Sequence, residues 1–146
     1  SKRVEYGLIA LLHNDSCGKR DPVTAKEIAA SYNIPGELLG KVMQGLAKAE
    51  LLESVQGSRG GYRLLEPLER ISVGEVVERL DGPIRIASCC DGSTSCLQHA
   101  ACNIKMPVQR IQEELVQHIY DMRLDRFRTV STLEVLTRDQ AEARIR

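Results

Sequence analysis

The chain has 146 residues and sets 20 Lys and Arg against 20 Asp and Glu, a formal net charge of zero that excludes indiscriminate coating of nucleic acid or membrane while leaving room for local basic patches. Tryptophan is absent and phenylalanine occurs once, so the core has to be aliphatic. No apolar run is long enough for a bilayer span or a signal segment, and the five cysteines leave one over in any disulfide scheme; the expectation is a cytoplasmic protein with free thiols and no membrane partner.

Val4, Leu8, Leu11 and Leu12, with Ile9 widening the stripe, recur at helical spacing and predict an amphipathic first helix over residues 3–14, with Glu5 in its first turn. A turn-rich stretch follows. Thr24 is a good N-cap, and Glu27 three residues later completes a capping-box pattern for a second helix to about Tyr32. Asn33 and Ile34 break it, and Pro35 suits the first position of a third helix running to about Glu50. Two helices so closely joined predict a helix-turn-helix. On the later one Leu38, Leu39, Val42, Met43 and Leu46 form the buried stripe, and the opposite face carries Gly36, Glu37, Gly40, Lys41, Gln44 and Lys48.

Leu51 to Val55 and Tyr62 to Leu65 alternate on either side of a Gly-rich turn, the signature of a hairpin. Directly after a helix-turn-helix, a hairpin is a wing. Arg59 at its tip lies between Ser58 and Gly60, so little bulk keeps its guanidinium from a narrow groove. Ser72 caps a fourth helix whose apolar face is Val73, Val76, Val77 and Leu80, and Gly82-Pro83 stops it. After a cysteine loop at about 88–103, Ile104, Val108, Ile111, Leu115, Ile119 and Met122 form a stripe about twenty residues long, more than a small domain needs for its own core, which predicts a dimerisation helix. The remaining tail is mostly polar and charged.

Within that loop Cys90, Cys96 and Cys102 are separated by two five-residue gaps in a Gly/Ser/Asp/His-rich stretch of little packing value. They read as ligands for a soft metal centre, because thiolate sulfur donates strongly to such metals. Structural zinc, which favours two-residue knuckles, and a metal-free thiol switch are the competing readings. The adjacent Cys89 is a bystander, a substitute ligand or a disulfide partner, and Cys17 has no assigned role.

The wing sequence Ser54-Val-Gln-Gly57-Ser-Arg-Gly60-Gly61-Tyr62, the run Ser72-Val-Gly-Glu75-Val-Val, the three spaced cysteines and the late Thr132-Leu-Glu-Val135 together resemble the winged-helix iron-sulfur transcriptional regulators, a family that includes IscR and NsrR. The resemblance covers nearly the whole chain to about residue 136. It implies a homodimer that binds pseudo-palindromic double-stranded operator DNA and senses iron, redox or nitric oxide status. It also implies that the three cysteines ligate an iron-sulfur cluster, 2Fe-2S in preference to 4Fe-4S; some relatives lack a cluster and act through protein partners.

Three thiolates leave one cluster position open. The branch that uses a histidine three residues after the third cysteine is not matched, since Lys105 stands there. Other members use a carboxylate near the start of the first helix, supplied by the partner subunit, and that position falls on Glu5; His99 within the loop is the competitor. On the DNA side, Lys41 and Gln44 are expected at base edges or phosphates, Thr24 and Lys26 on the backbone and Arg59 in the minor groove, with Pro35, Gly36, Glu37, Gly40 and Ser54 completing the interface.

The expected fold is mainly α with a small β-hairpin wing, a winged helix-turn-helix domain plus a long dimerisation helix. The expected divisions are 1–82 for DNA binding, 83–103 for the cluster loop, 104–128 for dimerisation and 129–146 for a C-terminal segment. No phosphate loop, nucleophile elbow or paired acid/base set occurs, so no enzyme is expected. An iron-sulfur electron carrier would not need a winged helix.

Overall fold

The computed structural model describes residues 1–18, 21–91 and 96–129. Its elements run α1 (Lys2–Ser16), α2 (Ala25–Tyr32), α3 (Gly36–Lys48), β1 (Leu52–Val55), β2 (Gly61–Leu64), α4 (Val73–Asp81) and α5 (Lys105–Asp121), with short 3-10 turns at Ser88–Asp91 and Leu124–Thr129. The fold is mainly α with one antiparallel hairpin, as expected. The 129–146 segment, Thr129 apart, and the Thr132-Leu-Glu-Val135 motif lie outside the described residues.

Local signals fix most element boundaries. Thr24 Oγ1 accepts from the Glu27 amide at 3.1 Å and starts α2, and Asn33 ends it in the left-handed region at φ 53°. Pro35 is the N-cap of α3 rather than its first residue, and α3 stops at Lys48 because Glu50 turns to φ 58°. At Ser72 the capping box is complete: Oγ accepts from the Glu75 amide at 3.1 Å, while the Ser72 amide donates to Glu75 Oε2 at 2.8 Å.

The core sits between α1, α3, α4 and β1. Leu11, Ile28, Leu39, Val42, Met43, Leu46, Leu52, Leu68 and Val76 are fully or almost fully buried. Each such side chain contributes about 1.5–3 kcal/mol of transfer free energy. One helix crossing is tight because glycine sits at the contact: a Cβ on Gly7 of α1 would lie 2.5 Å from Leu80 Cδ1 of α4.

The stripe expected to run unbroken from Ile104 to Met122 is interrupted at its end. The helix finishes at Asp121, Met122 is extended, and its carbonyl accepts from the Val73 amide at 2.9 Å. Leu124 then enters the core fully buried, its amide donating to Ile71 O at 3.0 Å. The segment 104–128 is therefore a helix followed by a strap that returns to the first domain.

Candidate DNA-binding surface and cysteine cleft

The helix-turn-helix pair is assembled by one buried residue in its turn: Ile34 is 8% exposed and its amide closes onto Ala29 O at 3.0 Å. This leaves the α3 start outward. Pro35, Gly36, Glu37, Lys41, Gln44 and Lys48 are exposed and Gly40 is partly so, while the opposite stripe is buried except for the half-buried Leu38. Thr24 and Lys26, at the start of α2, are exposed as well.

The hairpin register pairs Leu52 with Leu64, Glu53 with Arg63, Ser54 with Tyr62 and Val55 with Gly61. Arg63 Nε donates to Glu53 Oε2 at 2.7 Å across the strands, so Arg63 is a neutralised cation and Arg59 at the tip is the exposed one. The turn needs its glycines: a Cβ on Gly60 would lie 2.4 Å from Val55 O, and Gly57 adopts φ 112°.

Sequence reasoning missed a third strand position. Val23 and Tyr62 exchange both backbone hydrogen bonds at 2.8 Å. That bridge holds β2 of the wing against the segment that leads into Thr24. A Cβ on Gly61 would lie 2.8 Å from Val23 O, so the approach requires glycine.

Cys89, Cys96 and Cys102 line one open cleft of about 430 Å³, with Ile104 and Val108 from the start of α5 forming part of the same wall. All four loop cysteines are half-buried free thiols, and Cys17 is exposed at the end of α1. Desolvation, and then the neighbouring Cys90, push the Cys89 thiol above the ordinary thiol range. Cys96 Sγ lies 3.3 Å from Gln98 Oε1, and the His99 amide closes onto Cys96 O at 3.1 Å.

Among the described residues no three His, Cys, Asp or Glu side chains are gathered around a single-ion position. Three half-buried free thiols on the wall of one open cleft are soft donors of the kind an iron-sulfur core takes. Glu5 is placed elsewhere, in the first turn of α1. It is exposed and accepts from Lys2 Nζ at 2.6 Å, a hydrogen bond that holds its carboxyl below the usual range. Within one subunit its assigned partner is Lys2. His99 is half-buried in the loop.

The cleft is tied to the winged helix by residues the sequence did not single out. Gln112 of α5 accepts from the Ile86 amide at 2.7 Å through Oε1 and donates to Ile84 O through Nε2, pinning the strand of chain that enters the loop. Near the other end of α5, Tyr120 packs on Gly74 of α4, and its hydroxyl donates to Glu78 Oε2 at 2.6 Å. Beyond the helix, Arg128 Nε and Nη2 donate to Asp15 at 2.6 Å each, and Nη1 donates to Glu69. No residue of α5 is buried; Ile104, Met106, Ile111 and Leu115 are 57%, 72%, 54% and 39% exposed.

The family described as "Rrf2: Iron-dependent Transcriptional regulator" matches residues 1–128. The chain is 32% identical over 102 residues to the HTH-type transcriptional regulator NsrR of Shouchella clausii, covering 69% of this chain and 68% of the relative. It is 29% identical over 110 residues to NsrR of Oceanobacillus iheyensis, covering 75% of each. Among solved structures, CymR (YrzC), the global cysteine regulator of B. subtilis, superposes with TM-score 0.71 at 21% identity, covering 90% of this chain and 96% of that one. T. potens IscR superposes with TM-score 0.65 at 22% identity, covering 86% and 82%.

Proposed function

The chain belongs to the Rrf2 family of DNA-binding transcriptional regulators, and from that membership we propose a cytoplasmic homodimer whose operator affinity is set by an iron-sulfur cluster. It is a regulator and not an enzyme. Among the described residues no helix is long and apolar enough to cross a membrane.

One observation carries the cluster reading. Ile104, the exposed N-cap of α5, and the half-buried Val108 of its first turn line the wall of the thiol cleft and begin the apolar stripe that α5 continues. The place where the thiols lie therefore opens onto the surface that a second copy would cover. Packing two such stripes together removes apolar area from water and brings the partner subunit to the mouth of the cleft.

In this reading Cys90, Cys96 and Cys102 would hold the cluster, with 2Fe-2S favoured over 4Fe-4S, and the partner subunit's Glu5 would give the remaining oxygen donor, which requires its carboxylate to be released from Lys2. When bound, the group supplies a centre whose charge and ligation change with iron supply, oxidants or nitric oxide. The chain's own residues transmit the change: Gln112 couples the loop entry to α5, and Tyr120 couples α5 to α4, which packs on α1 and α3. Thr24, Lys26, Pro35, Gly36, Glu37, Gly40, Lys41, Gln44, Ser54 and Arg59 form the DNA face. The functional divisions follow as 1–82 for DNA, 83–103 for the cluster and 104–128 for the dimer.

Oxygen-free purification, followed by iron and acid-labile sulfide analysis and a gel-shift on the promoter upstream of the gene, tests this. Coloured protein whose DNA retardation changes on cluster loss supports it. A Cys90→Ala, Cys96→Ala, Cys102→Ala variant with the parent's response to iron or oxidant would overturn cluster control.

A further inference from the structure

We propose that Cys89 and Cys90 are exchangeable ligands, either thiol of this adjacent pair completing the loop's set with Cys96 and Cys102. The proposal rests on the cluster reading above and deepens it.

The cleft carries the argument. Sequence spacing singles out Cys90, yet the thiols lining the cleft with Cys96 and Cys102 include Cys89, and Cys90 is not among the lining residues. The reason lies in the local backbone. Ser88–Asp91 is a 3-10 turn, and at three residues per turn adjacent side chains point about 120° apart. Cys89 lines the cleft and Cys90, half-buried, points in a different direction.

Few contacts hold this arrangement of the turn. The turn is four residues long, and the Cys90 amide bond to Ala87 O at 3.0 Å is the backbone contact that a one-position rotation must remake. The hydrogen-bond geometry of a 3-10 turn is poorer than that of an α-helix, so this bond holds the turn weakly. Cys89 shares the cleft wall with Cys96 and Cys102, so its thiol opens on the same space as theirs.

The exchange is redox-neutral. Cys89 gives up its thiol proton as its sulfur binds iron, and Cys90 takes up a proton as its sulfur leaves, so the charge on the ligand set is unchanged.

The test uses the full chain, reconstituted anaerobically with ferrous iron and sulfide, as Cys89→Ala, Cys90→Ala, the Cys89→Ala/Cys90→Ala double variant and Cys96→Ala. Native mass and acid-labile sulfide per subunit report occupancy, and visible circular dichroism reports ligation. Each single variant of the pair is expected to retain most of the parent's sulfide with an altered dichroism spectrum, whereas the double variant and Cys96→Ala lose it. A Cys90→Ala protein as empty as Cys96→Ala overturns the exchange, as does a double variant that stays loaded. A parent that binds no core, or a Cys96→Ala protein that binds as much as the parent, removes the cluster reading and this inference with it.

A second measurement needs no substitution and so is immune to misfolding of the variants. Iodoacetamide treatment of the loaded parent, followed by peptide fragmentation, is expected to find Cys96 and Cys102 protected and the label divided between Cys89 and Cys90. Label on Cys89 alone, with Cys90 fully protected, overturns the proposal.

Discussion

Gly74 is glycine because the Tyr120 ring occupies the space beside it: a Cβ there would lie 2.5 Å from Tyr120 Cδ2 and 2.8 Å from Cε2 and Cγ. The ring therefore rests on the α4 backbone, and the hydroxyl bond to Glu78 one turn later fixes its rotation. Gly74→Ala should force the ring away and destabilise the fold by about 1–3 kcal/mol, the usual cost of overpacking. In a Tyr120→Ala background the same change should turn favourable, because Ala is preferred over Gly inside a helix by about 1 kcal/mol. Urea unfolding of the four proteins gives the cycle. Equal effects in both backgrounds would mean that the ring does not dock α5 onto α4.

The same pair of groups predicts a pH effect. The hydrogen bond to the Glu78 carboxylate, with desolvation adding to it, pushes the Tyr120 phenol up from 10 to about 12. The folded chain thus favours the protonated phenol. The stability this confers is complete below the unfolded value of 10 and is lost as pH rises through about 12. Tyrosinate absorbance of the parent minus that of Tyr120→Phe should give a single titration near the upper value, which Glu78→Gln should lower. A difference titration near 10 would contradict the hydrogen bond.

Much of the winged helix was legible because its signals are local. Thr24 and Ser72 act on amides three residues away, and the α3 stripe follows its own period. Spacing picked out Cys96 and Cys102, which line the cleft, but chose Cys90 where the adjacent Cys89 lines it, because periodic spacing carries no information on which of two neighbouring side chains a short turn aims inward. What escaped is non-local: the Val23–Tyr62 bridge uses only backbone atoms, and Tyr120 and Glu78 are 42 residues apart. The α5 end escaped because no Gly or Pro follows Asp121, so nothing in the stripe marked Met122 as extended. One signal was available. Gly74, near the start of an otherwise helix-favouring run, is unfavourable unless something approaches closely.

The strap after α5 contains one strong and one weak anchor. Leu124 is fully buried, so Leu124→Ala should cost about 2–5 kcal/mol through lost transfer energy and the cavity left behind. Arg128 engages two carboxylates, but its side chain is 38% exposed and Glu69 51%, so solvent screening keeps Arg128→Ala to about 1 kcal/mol or less. Chemical unfolding with and without added salt separates them. The Leu124 deficit should persist in salt, whereas the Arg128 deficit should shrink.

The proposed DNA face divides into residues expected to shape it and residues expected to touch the ligand. Gly60→Ala places a Cβ 2.4 Å from Val55 O, so the wing turn cannot close as it does now, and both thermal stability and operator binding should fall. Arg59→Ala removes an exposed guanidinium with no packing role, so stability should hold while operator affinity drops by about 1–3 kcal/mol. Lys41→Ala on the outer face of α3 should weaken binding to all sequences alike if it meets a phosphate, lowering the slope of log affinity against log salt by about 1. If it reads a base edge, the loss concentrates at one operator position and the slope stays near the parent's. Salt-dependent anisotropy on the operator and on single-base variants distinguishes the two. Unchanged affinity for both Arg59→Ala and Lys41→Ala would move the DNA away from the wing and α3, and with it the mechanical sense of the Tyr120 contact.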